Sequence, residues 1–282
     1  MYFHTTKRRV PFHRYLILLP VYFIISVISS SFCFFYVVKP QSDSFISQCR
    51  LLKYIMTPLF VISVIMLLYS HYISMTTSNE ILPKKIAKSE GDKSNSLSIC
   101  KKCYNIRPFR AHHCALCNVC IRKMDHHCPW IVNCVGESNQ KSFCLLLFYS
   151  ALSSFISSLC LYKEFLYIIN NQAEINKRVV ITTVKEQLLS SLYYTLPILG
   201  FVLSVAGLVI MLSLIISQIN WIKFNMTLIE SKMYPKKYEC PFFENDFPKH
   251  FRRLFGKGVQ MLIPTVVSEN SVYDEEERQS LI

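Results

Sequence analysis

The sequence predicts an α-helical integral membrane protein with four transmembrane helices and a small cysteine-rich, metal-binding domain between helices 2 and 3. Three observations carry that class. The 282-residue chain is 51% hydrophobic and only 17% charged, with a mean hydropathy of +0.29. Its apolar residues come in four long blocks rather than at the periodic positions of surface helices. One stretch between the second and third blocks, CKKCYNIRPFRAHHCALCNVCIRKMDHHCPWIVNC, packs seven cysteines and four histidines into thirty-five residues.

Residues 1–14 form a basic N-terminus carrying Lys7, Arg8, Arg9 and Arg14. Residues 15–75 hold the first two spans, with apolar blocks at 15–38 and 54–75. Each block reaches the roughly 20 residues that a bilayer-spanning helix needs. The first is too long for a signal-peptide core and no small-residue cleavage site follows it, so it reads as an uncleaved span. Residues 76–99 are a linker whose KKIAKSEGDKSNSLS portion has no apolar period. The cysteine-rich domain occupies 100–142. Residues 143–217 hold the third and fourth spans, with blocks at 143–162 and 194–217 joined by a short loop. A C-terminal tail, basic and then acidic, fills 218–282. None of the four blocks contains Asp, Glu, Lys or Arg. Buried core helices of a soluble protein are the alternative, but those keep a polar face. No internal repeat is apparent.

Two arguments place the domain, the N-terminus and the tail in the cytosol and the 163–193 loop in the lumen. The N-terminal cluster lies next to the first span, where positive charge retains a segment inside. Reduced, metal-binding thiols also survive best in the cytosol, where disulfides are rare.

The cluster contains Cys100, Cys103, Cys114, Cys117, Cys120, Cys128 and Cys134, with His112, His113, His126 and His127. Structural zinc takes four tetrahedral N/S ligands, often three cysteines and a histidine. The C-x2-C pairs Cys100/Cys103 and Cys114/Cys117 are a strong zinc signal, whereas redox pairs do not come in such clusters. Two Cys₃His sites would use six cysteines and two histidines, leaving one cysteine over. Arithmetic does not say which. Chemistry proposes Cys128, because Asp125 and His126 stand within three residues of it. An imidazole can take the thiol's proton and a carboxylate can fix the ring's tautomer and charge. The competing reading makes Asp125 a support for a ligating histidine.

At these residues the chain resembles the DHHC protein S-acyltransferases, or palmitoyltransferases. Their pattern C-x2-C-x9-H-C-x2-C-x2-C-x4-D-H-H-C-x5-C-x4-N-x3-F is met at all thirteen positions, from Cys100 to Asn139 and Phe143. The four-span plan is also similar, so the resemblance covers residues 12–256. It implies one structural zinc on Cys100, Cys103, His113 and Cys120, and a second on Cys114, Cys117, His127 and Cys134. It further implies Cys128 as nucleophile, His126 as base and Asp125 as its orienting partner. The implied activity moves a fatty acyl group from acyl-CoA, typically palmitoyl-CoA, through an acyl-enzyme to cysteines of membrane-associated substrate proteins.

Lys101, Lys102, Arg107, Arg110, Arg122 and Lys123 are candidates for the CoA phosphates, with Arg107 and Arg110 preferred by the resemblance; a solvated face drawn to anionic lipid is the alternative. Trp130 beside the nucleophile either walls the acyl chain or anchors at the interface. Ser150, Ser153, Ser154, Ser157 and Ser158 either leave room for that chain or pack helices together. No nucleic-acid partner is expected. The chain departs from the pattern at three places: Asn79-Glu80 stands where the family has Asp-Pro-Gly, Thr227-Leu228-Ile229-Glu230 replaces Thr-Thr-x-Glu, and His250 takes the place of an asparagine. Phe243, Phe247, Phe251 and Phe255 recur every four residues and suggest a short amphipathic helix from about Pro248. The terminal ERQSLI fits an acidic dileucine sorting signal. The expected membrane is the Golgi or endoplasmic reticulum, with endosomes or the plasma membrane as alternatives. The rival function is a catalytically silent zinc-binding adaptor or escort, which would have no need of a spare thiol. A metal transporter is disfavoured because no ionisable cluster lies at mid-span.

Overall fold

The computed structural model describes residues 24–32 (26 and 30 excepted), 50–80, 98–107, 110–175 and 183–266. Most of the expected first span, the basic N-terminal cluster, the Lys/Ser linker and the acidic dileucine-like end lie outside the described residues. Among those described, three helices are long and apolar enough to cross a membrane: α1 (Arg50–Thr76), α2 (Gln140–Asn170) and α3 (Val184–Lys223). Between α1 and α2 come six short strands, β1 (Ser98–Ile99), β2 (Ile106–Arg107), β3 (His112–Cys114), β4 (Val119–Ile121), β5 (His126–Cys128) and β6 (Asn133–Val135). They pair antiparallel as three separate hairpins. Two short helices follow α3: α4 (Leu228–Met233) and α5 (Phe247–Phe255).

Both α2 and α3 run beyond their apolar blocks, so the loop expected over 163–193 is helical as far as Asn170 and again from Val184. A capping box explains the start of α3. Glu186 accepts from the Thr183 backbone N–H at 3.1 Å, and the Glu186 N–H reaches the Thr183 hydroxyl.

The chain divides into two compact units. One comprises Leu19–Leu67 and Leu147–Leu214, which take in most of each long helix. Phe32 stacks on Phe60 with ring centroids 3.9 Å apart, and Ile28, Ile156 and Cys160 complete this core. Backbones approach closely where side chains are small. A Cβ on Gly200 would lie 2.6 Å from the Ser31 Cβ, and one on Gly207 would lie 3.2 Å from the Ser154 hydroxyl. Ser154 is thus engaged in helix packing. Ile62, Ile65, Val209 and Ile210 turn outward and are more than half exposed. Such exposed apolar area on a helix suits contact with lipid.

The other unit comprises Met1–Leu18, Leu68–Leu146 and Ile215–Ile282. It holds the hairpins, the adjoining ends of the three long helices, α4 and α5. Asn133 closes the C-terminus of α1, its side-chain amide donating to the carbonyls of Ser74, Met75 and Thr77 at 2.7–3.2 Å. These are carbonyls a helix end leaves without intrahelical partners. Asn79 and Asn139 bond to each other at 2.9 Å, and both donate to the Cys134 carbonyl. Asn79 also accepts from the Ser138 N–H, so its side chain is bound on both sides, at the place where the family has Asp-Pro-Gly. Gly136 is required beside this pair, because a Cβ there would come within 2.7 Å of the Arg122 carbonyl.

The expected amphipathic helix is α5, with Asp246 as N-cap accepting from the Lys249 N–H and Gly256 ending it at φ 83°. Phe247, Phe251 and Phe255 form a ring ladder with centroids 5.4 and 4.5 Å apart. His250 and Phe255 are its buried residues.

Candidate functional site

The site grows out of the hairpin registers. In β3–β4, His113 pairs with Cys120 and Cys114 with Val119; in β5–β6, His127 pairs with Cys134 and Cys128 with Asn133. Side chains alternate along a strand, so consecutive members of each His-His-Cys strand serve different neighbours. Two four-ligand groups result: Cys100, Cys103, His113 and Cys120, and Cys114, Cys117, His127 and Cys134. Within each group the ligand atoms all lie within 4.8 Å of one another. Cys103 and Cys120 sulfurs are 3.5 Å apart, as are those of Cys117 and Cys134, and His127 Nδ1 is 3.3 Å from Cys117 Sγ. A tetrahedral zinc with bonds of about 2.0–2.3 Å has ligand–ligand edges of roughly 3.3–3.8 Å. Both donor sets therefore fit such an ion.

The expectation of no internal repeat is corrected by this geometry. Each ligand of the second group follows its counterpart in the first by fourteen residues: Cys100 and Cys114, Cys103 and Cys117, His113 and His127, Cys120 and Cys134. The unit is shorter than the periods of stacked repeat folds. Apart from the ligands, only His112 and His126 coincide between residues 100–113 and 114–127, which hides the repeat from inspection.

Cys128 belongs to neither group. It ends β5, is buried, and is followed by a 3₁₀ turn, Pro129–Ile131, closed by Val132 in the left-handed region at φ 51°. A β-branched residue at positive φ is a strained conformation. The His126 ring, two residues before Cys128 on the same strand, feels that thiol's electrostatic influence, and its Nδ1 lies 2.9 Å from Asp125 Oδ2. Phe143, in the first turn of α2, sets its ring edgewise against His126 with centroids 5.3 Å apart. Burial works against charge on His126, but Asp125 and Cys128 outweigh it and lift the imidazole to about 9.

Asp125 is itself buried and accepts three hydrogen bonds. His126 and Gln218 Nε2 reach Oδ2 at 2.9 and 3.0 Å, and the Leu228 backbone N–H reaches Oδ1 at 2.6 Å. Burial would raise the carboxyl's pKa, yet these donors hold it below the ordinary carboxylate range. The Leu228 N–H is free to donate because it opens α4. Thr227 is the N-cap and forms a capping box with Glu230, whose carboxylate accepts from the Thr227 N–H at 2.8 Å.

The basic residues fare differently from one another. Arg110 is buried, and its guanidinium is committed to protein partners: Glu230 at 2.7 and 2.8 Å and Asn225 at 2.8 and 3.2 Å, with the Phe242 ring 4.5 Å away. The expectation that Arg110 meets CoA phosphates is corrected on that ground, since this cation is turned inward to brace α4. Burial, with Arg110 nearby, also pushes the Lys123 ammonium down to about 7. Lys101 and Lys102 are exposed, and Arg107 and Arg122 partly so. Trp130 is 58% exposed, and its carbonyl accepts from His71 Nε2 at 3.0 Å. Sequence reasoning missed Gln218, His71, Asn133 and the Leu228 N–H. No local pattern marks any of them, because each acts on a partner more than fifty residues away.

Comparison with known proteins agrees with this geometry. The family model described as DHHC palmitoyltransferase matches residues 93–234, half of the chain. The chain is 31% identical over 207 residues to "Probable protein S-acyltransferase 12" of Arabidopsis thaliana, covering 68% of this chain and 66% of that protein. It is 48% identical over 102 residues to "Palmitoyltransferase ZDHHC7" of Mus musculus, covering 34% and 33%. With "Probable protein S-acyltransferase 14" of Arabidopsis thaliana it shares 30% identity over 236 residues, 75% of this chain and 72% of the relative. The first two matches thus span between a third and two thirds of the relatives' length. With the family model matched over half the chain and its cysteine-rich pattern folded into two four-ligand groups beside an Asp-His-Cys set, this chain belongs to the DHHC palmitoyltransferase family.

Proposed function

We propose that the chain is a protein S-acyltransferase that moves a fatty acyl group from acyl-CoA to cysteines of membrane-associated proteins through an acyl-enzyme on Cys128. One observation carries the reading: Cys128 stands outside both four-ligand groups, on the same short strand as a histidine that a buried carboxylate holds in place.

Only the thiolate is a competent nucleophile. His126 takes the Cys128 proton, and Asp125 stabilises the resulting imidazolium and fixes its tautomer. The Cys128 sulfur attacks the acyl-CoA carbonyl, the bond from that carbon to the CoA sulfur breaks, and CoA leaves as a thiol with the proton from His126. A substrate cysteine then attacks the new thioester, giving its proton to His126 as Cys128 is released as thiolate. One thioester replaces another, so no outside energy source is needed.

Cys100, Cys103, His113 and Cys120 would hold one structural zinc and Cys114, Cys117, His127 and Cys134 the other, their binding energy supporting the fold of hairpins with strands of only two or three residues. Arg107 is the remaining preferred contact for the CoA phosphates, and exposed Trp130 suits the lipid boundary or the acyl chain. The domain faces the cytosol of a Golgi or endoplasmic reticulum membrane, where substrate proteins present reduced cysteines.

Purified zinc-loaded protein given palmitoyl-CoA is expected to acquire a hydroxylamine-sensitive acyl group, and Cys128→Ser to lose it while keeping an ion in each of the two groups. Loss of an ion on Cys128→Ser would make this thiol a ligand and end the enzyme reading.

A further inference from the structure

The buried Asp125 carboxylate accepts from three donors, and one of them is the side chain of Gln218. From this we infer that Gln218 is a positioning residue for acyl transfer, acting through Asp125 on His126. The inference rests on the S-acyltransferase reading above.

Gln218 sits near the C-terminal end of α3 and is buried. Its Nε2 donates to Asp125 Oδ2 at 3.0 Å, the same oxygen that faces His126 Nδ1 at 2.9 Å. Its other end is fixed too, because the Cys144 thiol, in the first turns of α2, points at Gln218 Oε1 from 3.9 Å. Together these contacts settle the amide's orientation, with nitrogen toward the carboxylate and oxygen toward the thiol; the reverse would set two oxygens against each other.

A carboxylate buried to 1% exposure has no water to hold its orientation. The Leu228 N–H holds Oδ1, on the far side from the histidine. Gln218 is the donor that fixes Oδ2, the atom on which the tautomer and direction of the His126 ring depend. Without it the carboxylate can rotate about its Cβ–Cγ bond, and the imidazole follows. A side chain misplaced by a fraction of an ångström is enough to slow a positioned proton transfer. The hydrogen bonds of Gln218 run to Asp125 and Cys144, neither of which belongs to a four-ligand group, so its loss acts on rate and not on metal.

The test is a double-mutant cycle on full-length protein, reading single-turnover autoacylation by palmitoyl-CoA and bound zinc. Gln218→Met keeps length and removes the donor. It is expected to slow acylation about tenfold, the scale of one hydrogen bond to a charged group, with half-saturating palmitoyl-CoA and zinc content unchanged. In an Asp125→Ala background the same change should cost less than about twofold, because residues that act through one another are not additive. Gln218→Glu keeps the shape but sets an acceptor against Asp125, and should be at least as slow as Gln218→Met. Wild-type rates in either variant, an undiminished effect in the Asp125→Ala background, or loss of zinc would each overturn the assignment. Failure of the wild-type protein to label would instead remove the enzyme reading on which it stands.

Discussion

The cysteine-rich domain contains the same strand twice, and the two copies differ in what surrounds them. Ala111-His112-His113-Cys114 and Asp125-His126-His127-Cys128 lie fourteen residues apart, each opening a hairpin of the same register. In both, the second histidine joins a four-ligand group. The first copy's cysteine, Cys114, begins the next group; the second copy's, Cys128, begins nothing. The following ligand of a third unit would be residue 131, and that is Ile131, fully buried. The spare thiol is what remains where a metal-binding repeat stops. The residue before each strand's histidines decides the rest. Beside His112 stands Ala111, and burial lowers that ring's pKa. Beside His126 stands Asp125, and the ring is lifted to about 9. One position earlier the roles reverse, with Arg110 bracing α4 through Glu230 while Met124 fills the core.

The sharpest way to break the comparison is to remove each strand's cysteine. Cys128→Ser is expected to abolish acyl labelling with full zinc. Cys114→Ser is expected to lose an ion and with it the fold, since structural zinc supplies on the order of 10 kcal/mol in such modules; metal analysis and labelling of both proteins decide it. Next in size, Asp125→Ala makes the second strand match the first. Autoacylation should fall roughly 10²–10⁴-fold, the usual contribution of positioned acid–base chemistry, with zinc retained. A near-normal rate would mean that the thiol works without its relay.

Arg110→Met transfers the second strand's apolar neighbour to the first and leaves Glu230 buried without its partner. Breaking one side of a buried pair costs about 3–5 kcal/mol, so thermal unfolding in detergent should drop clearly. The smallest effect concerns pH. The folded-state pKa of His126 is raised to about 9, above its ordinary value. The Asp125–His126 pair therefore stabilises fully below the unfolded value and loses that contribution as pH rises through about 9. The melting-temperature gap between wild type and Asp125→Asn should shrink between pH 7 and pH 9.5, and a constant gap would deny the ion pair.

Sequence alone determined the elements whose cause is local. Uncharged apolar runs long enough for a bilayer marked the three long apolar helices among the described residues, and cysteines and histidines at close spacing marked two groups that could hold metal. These follow from residue type and separation along the chain. Tertiary structure decided the partners of each buried charge. Arg110 was preferred as a phosphate contact by the family resemblance, but it is paired with Glu230, 120 residues away. Asp125 looked sufficient beside His126, but its orientation depends on Gln218 and the Leu228 N–H, about a hundred residues downstream. Asn133 showed no local signal and Asn79 only a departure from the family pattern, yet they lock the end of α1 to the β5–β6 hairpin. A buried polar group must find its partner wherever the fold places one, and sequence spacing does not record that position.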